Sequence, residues 1–224
     1  MMDLHAELAL LRDLGYTHLD LQSARQQAAV IQGGSELPHS EETLDDLGRI
    51  ALACTKCKLA GTRTQVVYGV GNPNADLMFI GEAPGRDEDL QGEPFVGRAG
   101  QLLTDIIKAM KLTRDDVYIT NVVKCRPPDN RNPDPDELES CRPYIRRQVE
   151  LIKPRVIVTL GKFALQSLLE RSYSIMATRG QWLEYEGIKL MPTLHPAYLL
   201  RTPAAKKDVW QDMKKVMAEL GIQF

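Results

Sequence analysis

The stretch 76–100, DLMFIGEAPGRDEDLQGEPFVGRAG, decides the fold. It opens on DLMFI (76–80), an apolar run led by Asp76 and short enough for a strand buried on both faces. The twenty residues that follow hold five glycines, two prolines and a run of carboxylates, and a helical pattern begins at Arg98. A buried strand that leaves through such a turn into a helix is the start of a βα unit. In open α/β sheets, ligands sit beyond the carboxyl ends of the strands. The turn at 81–95 is therefore the first place to look for a site.

Outward from this unit the chain keeps alternating. Runs at 76–80, 117–123 (VYITNVV), 155–160 (RVIVTL) and 188–193 (IKLMPT) predict strands. Helical spacing occupies 98–111, 135–152, 162–170 and about 204–220. Pro135 falls at the first position of its helix with Asp134 as N-cap. The alternation predicts a parallel sheet covered by helices on both faces. Ahead of it, Leu4, Leu8, Leu11 and Leu14 fall near helical spacing within 3–31, and QGGSELPHS (32–40) reads as a linker. Residues 1–40 are thus expected to form an N-terminal helical extension, and 41–224 the main domain.

The bulk numbers narrow the class. With 224 residues, 43% hydrophobic and 26% charged, the composition is that of a globular protein. The net charge of −2 gives no global positive field, so a nucleic-acid partner would need a local basic patch. No apolar run approaches the roughly 20 residues of a membrane span. The start, MMDLHAELALLRDLGY, lacks a basic segment followed by an uninterrupted apolar core. A cytoplasmic location is expected, where thiols stay reduced.

Four cysteines then need a reason other than disulfides. Cys54 and Cys57 form C-x2-C, and Cys125 and Cys141 follow at C-x15-C spacing. A C-x2-C turn lets two thiolates reach one metal, and soft thiolate ligands suit zinc or an iron–sulfur cluster. The pattern has one such knuckle instead of two, which tilts toward iron–sulfur; four ordinary buried cysteines are the plain alternative.

Three segments should meet at one end of the sheet, because each follows a strand. The first carries GEAPG with Glu82, the acids Asp87, Glu88 and Asp89, and Phe95. A solvated acidic turn and a core phenylalanine are the plain alternatives there. The second carries Asn121, closing a β-branched run where its amide caps a turn or reads a base edge. The third carries His195, held extended by the following proline.

Taken together, GEAPG, GEPFVGRAG, TNVVKCRPP, the proline-rich NRNPDPDELESC and HPAYLLR, in this order over roughly 50–222, resemble the family-4 uracil-DNA glycosylases, the iron–sulfur branch of that superfamily. The resemblance implies a three-layer α/β/α fold with a short, mainly parallel, four-stranded sheet. It implies a [4Fe-4S] cluster on Cys54, Cys57, Cys125 and Cys141, and hydrolysis of the N-glycosidic bond of deoxyuridine in DNA without lyase action. Glu82 and His195 are the expected catalytic residues, with Glu88 or Asp87 sharing the work on the sugar side. Phe95 would stack on the flipped base, Asn121 would read its edge, and Ala83 and Gly85 would bring backbone to it.

Arg98, Arg126, Arg131, Lys162 and Arg201 are candidates for phosphate contacts, and Leu199 or Leu200 for a wedge in the base stack, a buried helix start being the alternative. Uracil-containing DNA is the expected partner of a monomer, with residues 1–40 free to engage a protein partner. A glycosylase of wider deaminated-base range, and a non-catalytic iron–sulfur redox or DNA-binding protein, remain open as rivals.

Overall fold

The computed structural model describes residues 43–223, so the expectations for the helix within 3–31 and the linker at 32–40 lie outside the described residues. Helix α1, Leu44–Leu52, begins at a capping box in which Thr43 and Asp46 satisfy each other's backbone N–H groups. A 3-10 turn at Lys58–Gly61 leads to strand β1, Val70–Gly71, and then to β2, Leu77–Gly81. Helices α2, Arg86–Gln91, and α3, Arg98–Ala109, connect β2 to β3, Tyr118–Asn121. Helix α4, Pro135–Ile152, carries Asp134 as N-cap and Pro135 in its first turn, as the sequence predicts. There follow β4, Val156–Leu160; α5, Lys162–Leu169; α6, Ile175–Thr178; β5, Leu183–Tyr185; and β6, Ile188–Thr193. Helices α7, Pro196–Arg201, and α8, Lys206–Leu220, end the chain.

The sheet runs β1-β3-β2-β4-β6-β5. Its four inner strands, β3, β2, β4 and β6, are mutually parallel and are the four the sequence predicts. The expected count of four strands is corrected to six, because β1 and β5 add antiparallel edges of two and three residues. Strands that short have no readable period and exist through backbone pairing to a longer neighbour.

Alternation along the inner strands divides the core. Leu77 and Phe79 of β2 point to one face, where they pack with Leu103 and Ile107 of α3 and with Val209, Met213 and Val216 of α8. Met78 and Ile80 point to the other, against Ile145 and Val149 of α4 and Ala164, Leu165 and Leu168 of α5. That is the three-layer arrangement, with the inner strands buried on both faces. The chain passes from β2 to β3 on one side of it, then crosses back to β4 on the other. This reversal opens a crevice at the carboxyl ends, beside Gly81 and its register partner Asn121.

Candidate active site

A cavity of about 560 Å³ occupies this crevice, walled by residues that follow three strands: Glu82–Gly85 and Phe95 after β2, Asn121 at the end of β3, and His195 after β6. The topology therefore brings together side chains far apart in sequence. Pro127 and 130–132 form a further wall, with Tyr198 and Arg201 of α7 opposite.

Asn121 is buried, yet its Oδ1 has no hydrogen-bond partner among the described residues. An orphaned buried acceptor is rare, and leaving one unmade costs on the order of 1–3 kcal/mol. Its main chain is held from behind: the Nζ of buried Lys124 donates to the Asn121 carbonyl at 2.7 Å, to Thr120 Oγ1 at 2.6 Å and to Gln148 Oε1 at 2.5 Å. Burial pushes the Lys124 ammonium down to about 7. Gly81 makes room for the pair in front: a Cβ there would stand 2.3 Å from Asn121 Oδ1 and 2.5 Å from Cζ of Phe95. The Phe95 ring lies 5.8 Å from the His195 ring, tilted by 34°. A planar heterocycle between these groups would find an aromatic face and an amide edge.

His195 is the N-cap of α7, and its Nδ1 accepts from the Ala197 N–H at 3.1 Å. That bond fixes the tautomer: Nδ1 is the acceptor, so the proton sits on Nε2. Burial, reinforced by the charge of Arg201, pulls the imidazole down to about 4, so it is neutral at physiological pH. The site thus holds a neutral N–H donor, oriented by the backbone of its own helix.

The acids divide by environment. Glu82 lines the cavity, and its carboxylate makes no hydrogen bond among the described residues; burial raises the carboxyl to about 7. Glu88 also borders the cavity, but Oε2 accepts from Gly85 N–H at 3.1 Å and Oε1 from the N–H groups of Val96 and Gly97 at 3.0 Å each. It therefore ties the two ends of the 85–97 loop together. Asp89 is buried and accepts from Thr64 and Gln65, and Asp87 is exposed on α2 and not among the residues that line the cavity. Ala83 and Gly85 both line the cavity.

Among the cations, Arg201 reaches the cavity rim from the exposed side of α7. Arg98 and Lys162 are exposed at the starts of α3 and α5. Arg131 grips the buried Glu137 through both oxygens, at 2.9 and 2.6 Å, and Arg126 bonds Asn130. Of the two readings of Leu199, the buried helix start is the one its packing favours: it is 1% exposed and belongs to the core under α3 and α8. Leu200 is half-buried.

The four cysteines gather in a separate cluster. Cys125 and Cys141 are buried with Leu47, Leu59 and Tyr144, and Cys54 and Cys57 pack against them. Arg63 donates to Cys125 Sγ at 3.3 Å, and the Lys124 N–H points at Cys141 Sγ at 3.4 Å. Among the described residues no three His, Cys, Asp or Glu side chains are grouped as ligands of a single metal ion. Burial pushes the thiol of Cys125 up and that of Cys141 up to about 11, so thiolates there need a compensating positive charge.

Sequence reasoning missed two braces of this site, Lys124 and Arg114. The latter donates to the carbonyls of Pro94 and Phe95 from the connection between α3 and β3.

Comparison with known proteins places these features. Residues 68–214 match the family model described as Uracil DNA glycosylase superfamily. The chain is 48% identical over 183 residues to a type-4 uracil-DNA glycosylase of Archaeoglobus fulgidus, covering 78% of this chain and 92% of that protein. It is 46% identical over 190 residues to that of Sulfurisphaera tokodaii, covering 81% and 86%, and 44% identical over 179 residues to that of Thermotoga maritima, covering 78% and 93%.

Proposed function

The chain belongs to the type-4 branch of the uracil-DNA glycosylase superfamily, and from that premise we propose how its cavity excises uracil from DNA. The protein is a uracil-DNA glycosylase, a DNA-repair hydrolase acting on the N-glycosidic bond. The observation that carries the reading of its site is the orphaned Oδ1 of Asn121, buried in the crevice that Phe95 also lines.

A base inside a duplex is out of reach, so the deoxyuridine is flipped into the cavity. Phe95 stacks on it. Asn121 accepts from uracil N3–H through Oδ1, and its amide nitrogen donates to O4. Cytosine presents the opposite pattern and leaves the buried acceptor facing a lone pair, which a site of this kind rejects by orders of magnitude. As the bond breaks, negative charge gathers on the base, and the Nε2–H of neutral His195 stabilises it at O2. One preorganised donor of this sort is worth about 10²–10³ in rate. Ionised Glu82 faces the sugar, stabilises its developing positive charge and orients the attacking water. Glu88 serves by holding the Gly85 turn and the Phe95 loop in register.

The sugar product is an intact abasic site. Arg201 and Arg98 contact phosphates.

Cys54, Cys57, Cys125 and Cys141 would hold a [4Fe-4S] cluster. Such a cluster distributes its thiolates over separate irons, so the four need not converge on one ion. When bound, it supplies positive charge that keeps the thiols ionised and crosslinks the α1 exit, the end of β3 and α4. The Arg63 and Lys124 N–H groups fit as donors to its ligand sulfurs. The enzyme works as a monomer in the cytoplasm, one cavity serving one lesion, with residues 1–40, outside the matched region, left for a protein partner.

An end-labelled oligonucleotide with one uracil, followed by alkali, tests the reading against thymine, cytosine and hypoxanthine controls. Alkali-dependent breakage at uracil, lost in His195→Ala and Asn121→Ala, is expected. Breakage before alkali would overturn the plain hydrolysis, and breakage at hypoxanthine would overturn the uracil-restricted pocket. An intact uracil strand would overturn the whole reading.

A further inference from the structure

Phe95 holds φ at 56°, a left-handed backbone that costs a non-glycine residue on the order of 1 kcal/mol or more. Glu88, at the cavity, takes the next two N–H groups, those of Val96 and Gly97, and leaves the carbonyls of Pro94 and Phe95 to be held from elsewhere. Two features hold them. The first turn of α3 is bare at Gly100, where a Cβ would stand 1.9 Å from the Phe95 carbonyl oxygen, so that carbonyl rests directly on the helix.

Arg114 supplies the other. Its Nη1 donates to the Phe95 carbonyl at 3.1 Å and its Nη2 to the Pro94 carbonyl at 2.7 Å. Nη2 also pairs with the Glu93 carboxylate at 3.2 Å, so one guanidinium grips three successive residues. Nη1 further reaches Thr104 Oγ1 at 3.4 Å, and that hydroxyl donates to the Gly100 carbonyl at 3.1 Å, linking the grip to α3. A planar, permanently charged fork suits this pattern; an ammonium on a flexible stem does not reproduce it. Arg114 lies outside the cavity wall, so it touches neither base nor sugar.

We propose that Arg114 is a positioning residue for base recognition: it sets the backbone of 93–95 so that the Phe95 ring stands ready as the stacking wall before DNA arrives. The inference rests on the uracil-excision reading above and deepens it. Its alternative is a brace that stabilises the fold and does nothing particular for Phe95.

The two differ in a double-mutant cycle. Single-turnover uracil excision is measured on the full chain for wild type, Arg114→Ala, Phe95→Ala and the double variant, at a temperature where thermal melts show each folded. Base stacking on an aromatic side chain is worth about 1–3 kcal/mol, so removing its positioning lowers the rate by about 5- to 150-fold. Arg114→Ala is expected within that range, with the enzyme concentration for half-maximal rate changed less than about twofold. The double variant is expected within about threefold of Phe95→Ala alone. Losses that multiply in the double variant, or a wild-type rate in Arg114→Ala, overturn the inference.

If Arg114→Ala does not fold, Arg114→Lys enters the same cycle, with a smaller loss expected that again vanishes in the Phe95→Ala background; a loss that persists there overturns it. A wild-type protein that leaves uracil in place refutes the functional reading itself, and this inference with it.

Discussion

Glu82→Gln should abolish most of the activity and at the same time make the protein more stable, in a pH-dependent way. The wild-type carboxyl is raised by burial from its ordinary 4.5 to about 7, with no hydrogen bond among the described residues to offset the loss of water. Between those two values the native state holds a proton that the unfolded chain has released, so native stability falls as pH rises. Below pH 4.5 both states are protonated and the effect is absent. Above pH 7 both are ionised, and the full difference of about 3 kcal/mol is felt. Glutamine has nearly the same shape and does not titrate.

The variant should therefore exceed wild type by under about 1 kcal/mol at pH 5 and by up to about 3 kcal/mol at pH 8; the open side of the cavity makes this an upper figure. Urea unfolding at the two pH values measures it. In parallel, wild-type kcat/KM for uracil excision should rise about tenfold per pH unit below 7 and level off above, while the variant stays low and flat. An equal stability difference at both pH values would refute the claim that Glu82 is forced to ionise in a poorly solvated place. A wild-type rate that does not change between pH 5.5 and 7.5 would refute its role as the working carboxylate.

Other substitutions probe the remaining parts. Gly81→Ala places a methyl 2.3 Å from Asn121 Oδ1 and 2.5 Å from the Phe95 ring, so excision should drop by at least about a hundredfold, read in the same single-turnover assay. Leu199→Ala should cost about 2–5 kcal/mol in urea unfolding while the folded fraction cuts within about threefold of the wild-type rate; a large rate loss without destabilisation would return Leu199 to the DNA face. Arg201→Gln should weaken DNA binding and flatten its dependence on log salt by about one, measured by fluorescence anisotropy between 50 and 200 mM salt; an unchanged slope removes Arg201 from the phosphate contacts.

The inner strands were legible because β-branched and apolar runs of five to seven residues between turn signals have few other uses. The long helix α4 announced both its cap and its first turn in Asp134-Pro135. The edges were not legible: Val70–Gly71 carries too few residues for any pattern, and Leu183–Tyr185 acquires strand character from β6 beside it. Helix α2 was hidden inside an acidic run: its N-cap is Gly85, which has no side chain to signal a cap, and Glu88 alone reaches back to the Gly85 N–H.

In the site, Asn121 and His195 were legible from their positions at strand ends. Which of the acids at the cavity keeps a free carboxylate was not. Glu82 and Glu88 are chemically alike in sequence, and only burial and three backbone N–H groups separate them. Arg114 could not be found from the chain, since the Pro94 and Phe95 carbonyls it holds, about twenty residues away, carry no side-chain signature, and its ion pair with Glu93 reads as an ordinary surface pair. Leu199 shows the converse: a leucine next to a functional loop says nothing about which way it points until the helix that holds it is packed.

The central claim is tested most directly by counting free uracil. DNA containing a known amount of deoxyuridine is incubated with the protein, and released base and abasic sites are quantified by mass spectrometry and aldehyde labelling. The account predicts one uracil and one intact abasic site per lesion, with Asn121→Ala and His195→Ala each slowed by at least about a hundredfold. Release of uracil at the wild-type rate by both variants would contradict it, for the base would then be recognised and expelled somewhere other than the cavity between β2, β3 and β6.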